Sequence, residues 1–306
     1  MNSDSEVEYS GSDDGSEEES DEYDLLLNLD NVKIENKITI SPEIANAEFF
    51  AKDELNTISG LADCQLQAIK YVVSHSQKAS EAARPHLLTK FKQLGYDSSA
   101  LDRVGKYIKD QAPLIIHLSL DRVLQFLLKD TCYRNTFEVH SANNGARVQW
   151  EDNIFNNIYH NAKPNQRVKY GVLNVVGDPS GIKACSGYGD SYLLLKNVRL
   201  RTSFASGDTA GPVQISSCEY YYHVLNQYSD AELKAVIEVA LGLKPFADSS
   251  VIAVYKEVQY HGDIRLDRDV EALVVAKRHT HRDSLVKSIE LFSKKFGIPI
   301  IWLCDM

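Results

Sequence analysis

The side chains able to do chemistry lie in three short stretches with strand-like texture. In Tyr133-Arg134-Asn135-Thr136-Phe137-Glu138-Val139-His140, an extended backbone with its period of two puts Arg134, Thr136, Glu138 and His140 on one face. Phe137 and Val139 then point the other way. Four polar groups share that surface, although the solvent-facing edge of an antiparallel sheet has the same pattern. In Val254-Tyr255-Lys256-Glu257-Val258-Gln259-Tyr260-His261-Gly262 a carboxylate is displayed in mid-strand. Tyr255, Glu257 and Gln259 share a face opposite Val254, Val258 and Tyr260. Arg201-Thr202-Ser203-Phe204 likewise pairs Arg201 with Ser203, with Thr202 and Phe204 behind.

Other candidates carry less. Ser186-Gly187-Tyr188-Gly189-Asp190 contains a lone G-x-G without the strand, turn and helix of a dinucleotide fingerprint, and reads as a turn. His279 and His281, beside Lys277, Arg278 and Arg282, describe a basic exposed loop rather than a metal site. The five cysteines are scattered, with no C-x-x-C and no His at ligand spacing, which fits reduced thiols and no structural zinc.

The elements that must position these residues fall into two textures. Ser41-Pro42-Glu43 is a helix start, and from there to about Asp130 the chain reads helical. Apolar residues recur at helical spacing in Leu66, Ile69, Val72 and Val73, in Leu101, Val104 and Ile108, and in Leu120, Val123, Leu124 and Leu127. Gly95 and Pro113 are breaks between them. After Cys132 the chain turns to short alternating runs rich in Tyr and separated by Gly, Asn, Asp and Ser, as strands require. Strands are expected at Tyr170 to Val176, Tyr192 to Leu195, Val198 to Phe204 and Val251 to Tyr260. A capping box at Ser229 to Glu232 opens a helix through Leu233, Val236, Ile237 and Ala240 that stops at Gly242. A last helix carries Leu285, Ile289, Phe292 and Phe296, stops at Gly297, and precedes a closing strand at Ile300 to Cys304.

The chain has 306 residues, 43% of them hydrophobic, enough for a sizeable core. No apolar run approaches the ~20 residues that cross a bilayer, and the acidic N-terminus shows no Sec-type signal. The net charge of −10 is uneven. Residues 1–24 hold eleven Asp and Glu and no Lys or Arg, and the rest is nearly neutral, with 33 basic against 32 acidic groups. That balance argues against nucleic-acid binding, which needs a clustered positive surface. The tail, rich in Ser, Gly and carboxylates, is expected to be disordered, either as a solvating tail or as a secretion or docking segment. Val32 to Ile40 alternates as one strand would. The organisation expected is an acidic tail over 1–24, a mainly helical lobe over 25–131 and a β-rich lobe over 132–306.

The order Arg134, Ser203, Glu257 after a helical lobe resembles the Arg-Ser-Glu arrangement of ADP-ribosyltransferases. Tyr133-Arg134 with Thr136-Phe137-Glu138, Tyr170-Gly171-Val172-Leu173-Asn174, Gly189-Asp190-Ser191 and Glu257 to Gly262 look like the bacterial DUF3626 pattern, over about Cys132 to Ala276. The chain is also similar to the Lart family of secreted Legionella effector ADP-ribosyltransferases. The resemblance implies an α+β fold whose split, mixed sheet grips NAD as substrate in a cleft. It implies no metal, delivery into the reducing host cytoplasm, and an acceptor arginine on a host protein such as glutamate dehydrogenase. Breaking the bond between nicotinamide and ribose develops positive charge on the ribose, so Glu257 beside it would lower the barrier. Arg134 would hold the pyrophosphate in a forked geometry. Ser203 would bind the nicotinamide ribose or orient Glu257. Thr136 and Tyr170 would line the nicotinamide pocket, and Glu138 would either activate the acceptor or be the catalytic acid itself. Arginine-directed enzymes of this type usually carry Glu-x-Glu, whereas Gln259 stands at the second position here. Two alternatives use the same residues: an NAD glycohydrolase with water as acceptor, and a noncatalytic interaction protein that keeps the fold.

Overall fold

The computed structural model describes residues 58, 60–140 and 144–303. The acidic tail, the strand expected at 32–40 and the helix start at Ser41 lie outside them. The fold is α+β, with helices preceding a mixed sheet.

Helix α1 (Asp63–Gln93) buries Ala68, Val72, Leu87 and Phe91. Gly95, at φ +86°, lets the chain turn before α2 (Ser98–Asp110). The Asp97 carboxylate caps α2, accepting from the N–H of Ser99 at 2.9 Å and of Ala100 at 3.1 Å. Leu101, Val104 and Ile108 face the core, at the helical spacing the sequence shows.

The next segment departs from the helical reading. Leu114–Leu118 is a strand, β1, buried along its whole length. Leu114, Ile116 and Leu118 enter one apolar cluster, while Ile115 enters another with Val172, Ile182, Cys185, Tyr192 and Val274. A central strand covered on both faces reads as a continuous apolar run, and periodicity alone does not separate that from a buried helix. Helix α3 (Leu120–Lys129) follows, then the two-residue strand β2 (Cys132–Tyr133) and helix α4 (Asn144–Ile154). The chain on both sides of residue 131 thus contributes to one sheet and one main apolar cluster.

The remaining strands are β3 (Lys169–Leu173), β4 (Ser191–Leu195), β5 (Thr202–Ala205), β6 (Ile215–Ser217), β7 (Glu257–Tyr260), β8 (Ile264–Arg265), β9 (Val270–Val275) and β10 (Ile300–Trp302). The large sheet runs β10-β9-β4-β1-β3-β7-β5-β6, and β2 pairs with β8 in a separate ribbon. Within the large sheet β9 and β10 are parallel and the other pairs antiparallel. Several expected strands are shorter than the sequence suggests: the one from Tyr170 ends at Leu173 instead of Val176, and the closing strand ends at Trp302. Val251 to Lys256 is not strand, and Arg199–Arg201 is a 3-10 turn leading into β5.

Between β6 and β7 lie the short α5 (Tyr222–Leu225) and α6 (Asp230–Ala240). The expected capping box is present. The Ser229 hydroxyl accepts from the Glu232 N–H at 3.2 Å, and the Glu232 carboxylate accepts from the Ser229 N–H at 2.8 Å. Glu232 also meets the buried Lys256 ammonium at 3.3 Å, so the cap anchors the residue preceding Glu257. Replacing Ser229 with Ala is expected to cost about 1 kcal/mol in urea denaturation. Helix α7 (Leu266–Asp269) joins β8 to β9, and α8 (Asp283–Phe296) ends at Gly297 in the left-handed region, φ +67°, as the sequence predicts. No described helix is long and apolar enough to cross a membrane.

Candidate active site

Register decides which polar residues meet. Across β3, β7 and β5, Tyr170 stands opposite Gln259 and Gln259 opposite Ser203, while Glu257 lies two residues along β7, opposite Val172. Alternation puts Tyr170, Gln259, Ser203 and Glu257 on one face of the sheet. On the other face Phe204, Val258 and Tyr260 enter the main core. The polar face is roofed by a smaller apolar cluster that includes Ala68 and Val72 of α1, Ile154 of α4, Phe155 and Tyr159.

These residues form a continuous chain of hydrogen bonds. The Tyr159 hydroxyl, which burial holds protonated far above the ordinary tyrosine range, lies 2.7 Å from Nδ1 of His261. Because Ser203 gives its single proton to Gln259 Oε1, its Oγ accepts from His261 Nε2 at 3.1 Å, and Nδ1 is left to accept from the Tyr159 hydroxyl. Ser203 donates to Gln259 Oε1 at 3.0 Å, and Gln259 Nε2 donates to Glu257 Oε1 at 3.0 Å. Thr209 Oγ1 donates to the same oxygen at 2.5 Å. His261 stays neutral because burial, helped by the nearby Arg201 charge, lowers its pKa to about 3. Every link points toward the carboxylate, and successive bonds polarise one another.

Glu257 is 8% exposed, and burial pushes its pKa up to about 7 against the donations of Thr209 and Gln259, with the Asp208 charge adding to the rise. It therefore changes charge near neutrality. A second carboxylate, Glu151 of α4, is fully buried. It meets Arg167 at 2.6 Å and accepts from the Tyr170 hydroxyl at 3.1 Å, and burial lifts it to about 7 as well. A cavity of about 500 Å³ opens beside Thr209, lined also by Tyr71, His75, Asn153, Ile154 and Gln214. Its volume is in the range of small-molecule sites.

The segment at 133–140 departs from the extended reading. Only Tyr133 is strand, and 136–140 is a turn with His140 at φ +51°. Asn135 causes this. Its Oδ1 accepts from the N–H groups of Phe137 and Glu138, both at 2.9 Å, and its Nδ2 donates to the carbonyls of Pro164 and Arg167. Asparagine closes such turns through its side chain, which the alternation conceals. Arg134, Thr136, Glu138 and His140 consequently share no strand face. Arg134 pairs with Asp130, its side chain 51% exposed. Glu138 accepts from the Asn135 N–H at 2.9 Å and lies 3.9 Å from Lys169 Nζ. Thr136 Oγ1 is buried and has no hydrogen-bond partner. Of the expected residues, β3, β5 and β7 bring together Ser203, Gln259, Tyr170 and Glu257, and none of the hydrogen bonds of that row involves Arg134 or Glu138.

His261, Tyr159, Thr209 and Glu151 complete the site without having been singled out by the sequence. His261 follows the Glu257 strand directly, and its strand context was the signal available. Nothing local marks the others. His279 also differs from expectation: it is fully buried, with Nε2 3.3 Å from Asp190. Among the described residues no three His, Cys, Asp or Glu side chains group as metal ligands, and no disulfide joins the described cysteines.

Fold and site together define an α+β protein with a buried carboxylate at the end of a polar relay. Residues 113–254 match the family model described as a protein of unknown function, DUF3626. The match takes in Arg134, Thr136, Glu138, Tyr170 and Ser203 and ends shortly before Glu257. No curated protein matches the chain.

Proposed function

We propose that this protein is a mono-ADP-ribosyltransferase that moves ADP-ribose from NAD to a protein side chain. The acceptor in this reading is an arginine of a host enzyme, with glutamate dehydrogenase as the first to try. The observation that carries it is Glu257, a buried carboxylate at the start of β7 held by Gln259 and Thr209 and titrating near neutrality. In the reaction the bond between the nicotinamide nitrogen and ribose C1′ breaks, and nicotinamide leaves with the electron pair. The acceptor nitrogen bonds to C1′ and gives up one proton to a base. Positive charge develops on the ribose, and a fixed carboxylate beside it lowers the barrier. In this assignment Ser203 is a positioning residue that acts through Gln259.

The test is incubation with NAD labelled in the adenylate, with and without a eukaryotic lysate or purified glutamate dehydrogenase. A discrete labelled protein band is expected with wild type and none with Glu257→Gln. Release of nicotinamide and free ADP-ribose without a labelled band would select hydrolysis instead. No turnover of NAD under either condition would refute the assignment.

A further inference from the structure

Strands β5 and β6 form a hairpin whose last rungs run from the Ser206 N–H to the Gln214 carbonyl, 2.9 Å, and from the Gln214 N–H to Ser206 Oγ, 3.0 Å. Residues 207–213 make the loop beyond them. Asp208, Ala210, Gly211 and Pro212 are exposed, whereas Thr209 is 3% exposed and its hydroxyl ends on Glu257 Oε1 at 2.5 Å. The Thr209 N–H bonds to the same carboxylate. Asp208 organises the loop's tip, its Oδ1 accepting from the Ala210 N–H at 2.9 Å and its carbonyl from the Gly211 N–H at 3.0 Å. Its other carboxylate oxygen, Oδ2, accepts from the Tyr255 hydroxyl at 2.6 Å. Gly207 lies so close to Val254 that a Cβ would come within 3.1 Å of Val254 Cγ1. The loop is thus fastened to the segment that leads into β7, residue by residue: Gly207 against Val254, Asp208 to Tyr255 and Thr209 to Glu257.

Thr209 also lines the cavity of about 500 Å³, together with Ala210, Gly211 and Pro212 of the same loop, while Glu257 does not line it. It therefore stands between the cavity and the carboxylate. Chemistry at Glu257 needs a reacting group in contact with it, and at 8% exposure, under this cap, the approach from the cavity is taken by Thr209. Loops held by a few side-chain bonds open far more readily than the sheet beneath them, and closing over a buried site is a common use of that difference.

We propose that residues 207–213 are a lid over Glu257, latched by the Tyr255–Asp208 and Thr209–Glu257 bonds, and that opening the lid joins the cavity to the carboxylate. The lid does not depend on which reaction Glu257 serves; the transferase reading states only what enters.

The experiment modifies the carboxyl groups of the whole protein with a water-soluble carbodiimide and glycine ethyl ester, and reads Glu257 by peptide mass spectrometry. It is run at pH 5, where Glu257 is protonated. Amide exchange of β7 is followed under the same conditions. Wild type is expected to react at Glu257 faster than the β7 amides exchange, at a rate that low urea leaves unchanged, because the lid opens while the sheet stays closed. Tyr255→Phe removes the outer latch bond, and Asp208→Asn removes its charge while the amide oxygen still accepts from the Ala210 N–H. Each is expected to speed modification of Glu257 about 2–10-fold, the worth of one hydrogen bond, with β7 exchange unchanged. Thermal unfolding checks that both variants fold, and the exposed Asp208→Asn carries the test if Tyr255→Phe does not. Modification of Glu257 that keeps pace with β7 exchange, or that neither variant alters, overturns the lid. Modification that responds to the latch, in a protein that turns over no NAD, upholds the lid and removes the transferase reading. Turnover of NAD by a protein whose Glu257 is indifferent to both variants does the reverse.

Discussion

Glu257→Gln is expected to abolish most NAD turnover and to make the protein more stable. Both effects come from the same burial. The carboxylate is 8% exposed and titrates near 7, so at pH 8 the folded protein holds a charge that burial disfavours. Between its ordinary value of 4.5 and about 7 the folded state binds the proton more tightly than the unfolded state does. Stability from this group is therefore fully present below about 4.5 and is lost as pH rises to about 7. That interval corresponds to about 3 kcal/mol. Glutamine removes the charge while its amide oxygen can still accept from Thr209 and Gln259, which both donate to Oε1. The variant is expected to gain about 2–3 kcal/mol over wild type in urea denaturation at pH 8 and nothing at pH 4. Turnover should fall by about 10²–10³ on loss of one electrostatic group. In wild type, turnover should rise with pH through a midpoint near 7 as Glu257 ionises. A profile flat from pH 5 to 9, or a variant less stable at pH 8, contradicts the account.

The second large effect is structural. Arg201 is 1% exposed and meets the fully buried Asp269 at 2.9 Å, while its Nη1 donates to the His261 carbonyl at 2.7 Å. It thus joins the start of β5, the end of β7 and the junction of α7 with β9. Arg201→Met leaves the His261 carbonyl without this donor and strips Asp269 of its buried partner, although Arg268 still reaches Asp269 at 2.7 Å. Removing one member of a buried ion pair costs about 3–5 kcal/mol. A double-mutant cycle with Asp269→Asn should show strong coupling. A loss below about 1 kcal/mol would mean that Arg268 carries the site alone. The sequence places Arg201 beside Ser203 on one strand face; the 3-10 turn at 199–201 instead turns it into the ion pair.

What the chain declares locally, the structure keeps. The α6 capping box, the stop at Gly297 and the apolar spacing of α2 depend on residues within a few positions of one another, so their signals survive in the sequence. Ser203, Gln259 and Glu257 were legible for the same reason: alternation assigns each to a strand face. Their meeting was not. Ser203 and His261 are 58 residues apart and Tyr159 and His261 are 102 apart, and only strand register and the roof over the sheet bring them to hydrogen-bond distance. The strand at 114–118 stayed hidden because a run buried on both sides has no period to read. The turn at Asn135 stayed hidden because one side chain, anchored to carbonyls near residues 164–167, overrode an alternating pattern. The shift of Glu257 toward neutrality belongs wholly to the tertiary structure, since desolvation depends on what packs above a residue and not on its neighbours in the chain.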